Sequence, residues 1–115
     1  MLILSQITAT NANVLSGSVF EFIKRPSRVH VAVSGRIVPV TGNVWTFQIG
    51  DVIVAQNAVV QTSRAVTIAS GSALEWPKDF MVQNEPALPG DRLILAITVG
   101  SADTIAFAVL ITEVA

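Results

Sequence analysis

The chain has 115 residues, enough for one domain with its own core, and no cysteine, so neither a disulfide framework nor a thiolate metal site is available to it. Seven basic against eight acidic residues leave a net charge of −1, which excludes global attraction to nucleic acid. Hydrophobic residues make up 51% of the chain and charged residues 13%, too few charges to cover a monomer, and the apolar excess points to contact with other protein chains.

The opening Met1-Leu2-Ile3-Leu4 has no basic residue before it and is cut off by Ser5 and Gln6. It lacks the charged start and the length of a signal peptide and is expected to form a first strand. A second, shorter strand is expected at residues 19–23. Period-two alternation of Val29, Val31 and Val33 with Arg28, His30 and Ala32 marks a strand, as does that of Trp45, Phe47 and Ile49 with Val44, Thr46 and Gln48. Pro39 belongs at an edge or irregularity, because proline cannot donate to a ladder.

Residues 55–66 are ambiguous: Ala55, Ala58, Val59, Thr62 and Val66 fit helical spacing, while Val59-Val60 favours a strand. Residues 65–69 alternate weakly. Residues 70–89 hold three of the five prolines and read as connection, with a brief strand at Phe80-Met81-Val82. Glycine and proline fall between most apolar runs, so eight to ten short strands in a sandwich or barrel are expected, in a single domain spanning residues 1–115. No membrane span is expected: the longest unbroken apolar run, residues 105–111, is far short of the roughly 20 residues a spanning helix needs.

Residues 92–99 and 104–114 are β-favouring runs joined by a short loop, and they read as a C-terminal hairpin. In the favoured register Leu93, Leu95, Ile97 and Val99 lie opposite Ile111, Val109, Phe107 and Ile105, giving one bulky face for the core. The other face, Ile94, Ala96, Thr98, Ala106, Ala108 and Leu110, is small and apolar. A strand pair with no charged face is covered on both sides, so these six residues are the candidate subunit interface.

Two segments share a turn pattern, Gly50-Asp51 and Gly90-Asp91 ahead of apolar strands, where glycine supplies positive φ and aspartate caps the backbone. At this point the chain resembles a jelly roll: many short strands, a Gly-Asp entry into a long penultimate strand and an apolar last strand. It is similar in this pattern to viral capsid proteins of the single jelly-roll type, and to trimeric jelly rolls of the tumour-necrosis-factor and complement-C1q kind. The resemblance implies an antiparallel β-sandwich of about eight strands in two four-stranded sheets, lateral contacts between subunits, and no catalysis. The chain departs from many RNA-virus coat proteins in having no basic N-terminal arm, so direct nucleic-acid binding is not expected.

Lys24, Arg25, Arg28, His30 and Arg36 form the one local cluster of positive charge. They read as a solvated hairpin first and as an anion or partner contact second. His30 is the sole histidine, so a histidine-rich zinc site cannot form, and no G-x-S-x-G element accompanies it. Glu75-Trp76 and Asp79-Phe80 set acids beside aromatics, and Trp76 is the candidate platform of a sugar-binding module. Phosphate-cradling and EF-hand loops are absent, and no cofactor is implied. The expectation is therefore a non-catalytic structural protein that assembles with copies of itself, as a trimer or pentamer, and with other shell proteins. A virion shell, vertex or decoration subunit, located in the virion, is the first reading; a carbohydrate-binding module is the alternative.

Overall fold

The computed structural model describes residues 2–35, 42–60, 80–100 and 104–114. They form seven strands: β1 (Leu2–Ile7), β2 (Ser27–Ser34), β3 (Val44–Ile49), β4 (Val52–Val59), β5 (Val82–Ala87), β6 (Leu93–Thr98) and β7 (Ile105–Glu113). All pairings are antiparallel. One sheet has the order β1-β7-β2-β5 and the other β4-β3-β6. The protein is an all-β sandwich.

Alternation decides which side chains enter the space between the sheets. Val29, Val31 and Val33 of β2 and Ile105, Phe107, Val109 and Ile111 of β7 face Trp45, Phe47 and Ile49 of β3 and Leu93, Leu95 and Ile97 of β6 in one buried cluster. Each such side chain contributes about 1.5–3 kcal/mol by leaving water, and the sum over this cluster is the main force holding the sheets face to face.

Residues 8–26, which connect β1 to β2, are irregular but run along the free edge of β6, with isolated bridges Asn11↔Ile97 and Phe22↔Arg92. Asn13 keeps that edge paired where the backbone departs from it. Its Oδ1 accepts N–H bonds from Leu15 and Leu95, and its Nδ2 donates to the Leu93 carbonyl. With this segment included, the pairs nest: β1 with β7, residues 11–22 with β6, β2 with β5, and β3 with β4 around the Gly50-Asp51 turn.

Several expectations are corrected. The expected C-terminal hairpin does not form: β6 pairs with β3, and β7 pairs with β1 and β2 in the opposite sheet. Both bulky faces still enter the core, but they meet across the sandwich instead of side by side. Alternation reports which side of a strand is buried and is silent about which strand lies beside it.

Residues 19–23 are not a strand; Phe20 and Ile23 are buried from an irregular path. The strand in the 70–89 stretch runs from Val82 to Ala87, beyond the expected Phe80-Met81-Val82. Asn84 at φ +57 and Pro86 break its periodicity and conceal it. In the 55–66 stretch, the described residues up to Val59 are strand. Pro39 and residues 65–69 lie outside the described residues.

Two edge strands, β4 and β5, carry a bulge built the same way. Between Trp45↔Ala58 and Phe47↔Ala55, Gln56 and Asn57 oppose the single residue Thr46; between Val29↔Glu85 and Val31↔Val82, Gln83 and Asn84 oppose His30. Each asparagine has positive φ, a conformation asparagine tolerates better than most residues. The N–H of each is taken by the side chain opposite: Asn57 donates to Thr46 Oγ1 and Asn84 to His30 Nδ1, both at 3.0 Å.

Candidate interaction surface

The six candidate interface residues do not form one face. Ile94, Ala96 and Thr98 point away from the core on the β4-β3-β6 sheet, and Ala106, Ala108 and Leu110 point away from it on the other. Ile94 and Ala96 are half-buried and Thr98 is exposed, whereas Ala106 and Ala108 are buried. A cover for the second group comes from the same chain. Phe80 packs over the facing pair Ala32 and Ala108, with Leu110 alongside. Two opposed alanines leave room for the ring, and Met81 holds the segment down by donating to the Val31 carbonyl at 3.0 Å.

The basic cluster is also divided. Lys24, Arg25 and Arg28 are exposed, but Arg28 gives its guanidinium to the Asn84 carbonyl at 3.1 Å. His30 is buried on the outer side of β2, and desolvation lowers its pKa, which favours the neutral imidazole that accepts the Asn84 N–H. Arg36 lies outside the described residues, as do Glu75, Trp76 and Asp79. Among the described residues no group of three or more His, Asp or Glu is placed to hold a metal ion, and no helix is long and apolar enough to cross a membrane.

The surface features that stand out instead are apolar side chains held outward at one end of the sandwich. Ser27 pairs with Ala87 on one side and Glu113 on the other, so the start of β2 divides that end into two flanks.

On the β7 flank, Val19 and Phe22 are 67% and 52% exposed. With Ile23 and Ile111 they line a depression of about 270 Å³ whose polar margin is Lys24, Arg25, Ser27 and Glu113. Phe22 is held outward by its neighbours' backbone bonds: Leu93 donates to the Glu21 carbonyl, Ile23 donates to the Asp91 carbonyl, and Gly90 donates to the Ile23 carbonyl. Glu21 ties the loop further, accepting the Gly17 N–H and pairing with Arg92 at 2.8 Å. The Gly17 hydrogen bond, then Arg92, holds its carboxyl below the usual range.

On the β5 flank, Val52 and Leu88 are 65% and 63% exposed. With Ile49, Val54 and Pro86 they line a depression of about 320 Å³ bordered by Glu85 and Asp91. It continues between β4 and β5 into a wider groove of about 470 Å³ that shares Val54 and Glu85 and reaches Trp45 and Met81.

The two Gly-Asp turns border this flank, with both glycines in the positive-φ conformation expected of them. Gly50 and Gly90 have φ of +55° and +91°, and Asp91 Oδ2 accepts the Leu88 N–H at 2.9 Å. A Cβ on Gly50 would meet Asp91 Oδ1 at 3.0 Å, so the two turns touch.

Sequence reasoning missed both flanks. A signal was present in Val19-Phe20-Glu21-Phe22-Ile23, which holds more bulky apolar residues than a one-sided segment can bury. Comparison with protein-family models, with curated proteins and with solved structures returns no match for this chain.

Proposed function

We propose that this domain is a non-catalytic structural subunit that assembles with copies of itself, of the class that forms a virion shell, vertex or surface decoration. The observation that carries the reading is the set of large apolar side chains left exposed, Val19, Phe22, Val52, Ile53, Val59, Met81 and Leu88 among them, on a chain with 13% charged residues. Exposed apolar area of this kind marks contact surfaces. The nested pairing supports the narrower class: first strand with last, and inward to one turn, is a long hairpin rolled on itself, and we read it as a jelly roll. Fold alone assigns no function, so the assembly claim rests on the surface.

Light scattering on the purified chain is expected to give a mass several times 12.2 kDa. A monodisperse monomer at high concentration overturns the proposal, and electron microscopy of the assembled material separates a closed shell from a small ring. The sugar-binding alternative rests on Trp76, outside the described residues, and no observation favours it.

A further inference from the structure

We infer that the two flanks are the two halves of one head-to-tail contact between copies: the patch of Val19 and Phe22 bordered by Lys24 and Arg25 docks on the patch of Val52 and Leu88 bordered by Glu85 and Asp91 of the next copy. The inference rests on the reading of the domain as a self-assembling subunit and names the surfaces that do it. Three observations on the molecule lead to it.

The patches are alike in kind, each a shallow apolar depression of similar size, about 270 and 320 Å³, with two large apolar side chains more than half exposed. Their borders are opposite in charge. Lys24 and Arg25 outnumber Glu113 on the first, while Glu85 and Asp91 stand without a cation among the residues lining the second. Like meeting like would bury the same charge twice, which disfavours a symmetric pairing of either patch with itself; opposite borders steer one patch toward the other. Finally, the patches lie on opposite flanks of the same end of the sandwich, separated by the start of β2. A contact that joins one flank of each copy to the other flank of the next is heterologous. It continues from copy to copy and closes into a ring when the rotation allows.

Charge reversal tests the pairing without touching the core. Lys24, Arg25 and Glu85 are chosen because none of their side chains enters the buried cluster, whereas Asp91 braces the Leu88 turn and is left alone. The variant K24E/R25E and the variant E85K are each expected to raise the concentration needed for assembly by about tenfold or more, read by sedimentation velocity. The triple variant K24E/R25E/E85K presents a reversed border to a reversed border at every contact, whatever the number of copies. It is therefore expected to assemble near the wild-type concentration.

Far-ultraviolet circular dichroism identifies any variant that fails to fold, for which the uncharged K24Q/R25Q or E85Q replaces it, with the same direction and a smaller shift. If wild type assembles and the variants assemble equally well, or if each is impaired and the triple variant stays impaired, this contact is wrong while the assembly reading stands. If wild type itself never assembles, the assembly reading fails first.

Discussion

His30 and Thr46 perform the same task on opposite sheets: each faces a two-residue bulge on an edge strand and accepts the N–H of the asparagine that turns into positive φ there. The difference is that histidine titrates. Burial lowers the His30 pKa below 6.5 in the folded chain, so between that folded value and 6.5 the unfolded state binds a proton that the folded state does not. Stability supplied by the neutral imidazole is full above pH 6.5 and falls as pH drops through this window.

The variant His30→Asn keeps an acceptor near Nδ1 and removes the proton. Urea unfolding at a series of pH values is expected to show a shallower fall for the variant than for wild type over that window, and identical slopes would refute the assignment. Glu21 acts in a separate, lower range, since its depressed pKa means its contribution is lost only as pH falls below the usual carboxylate value. At this scale the sequence was partly legible. The Gly-Asp turns were readable because glycine and aspartate have narrow backbone roles, whereas the role of His30 required knowing that Asn84 lies opposite it.

Strands and their edges set the next scale. Asn13 substitutes for a length of backbone along β6, and replacing it with alanine leaves the Leu95 N–H without that acceptor in a half-buried site. Asn13→Ala is expected to cost about 1–3 kcal/mol in chemical denaturation; a change below a few tenths would mean water takes over the bond. Ala108 makes a contrasting case. Because Phe80 covers it, Ala108→Arg drives a charged side chain into an occupied site and is expected to lower the unfolding midpoint of the domain itself, at every protein concentration. A variant with the wild-type midpoint but lost assembly would return Ala108 to the interface.

Alternation made β2 and β3 readable and apolar runs did so for β1, β6 and β7, whereas residues 55–59 of β4 also fitted a helix and β5 was hidden, since Asn84 and Pro86 interrupt its pattern. The partnership of β6 and β7 was misread because a short connector between two apolar strands suits a hairpin and a crossing between sheets equally. Nothing in the 92–114 stretch says that β3 will claim one strand and β1 and β2 the other.

Leu2 pairs with Leu110, and the pairs among the described residues nest inward to the turn at Gly50. Ordering such distant pairs carries a loop-closure cost that local contacts cannot offset, so the core must form almost as a unit. If folded copies associate and unfolded ones do not, mass action makes apparent stability depend on concentration. A roughly hundredfold rise in protein concentration is expected to raise the thermal midpoint, and an unchanged midpoint together with a monomeric mass would remove the assembly proposal.

The sequence by itself determined that the chain is all-β, which side of β2, β3, β6 and β7 faces the core, and that too little charge is present to cover a lone domain. These follow from local rules: a period of two, turn residues with narrow backbone preferences, and composition. Which strands are neighbours, which small face Phe80 covers, and where the outward apolar residues gather were decided by the tertiary structure alone. The physical reason is that pairing between strands, some of them more than a hundred residues apart in the chain, is chosen by how the whole set of apolar faces closes around one core, a condition no single segment carries.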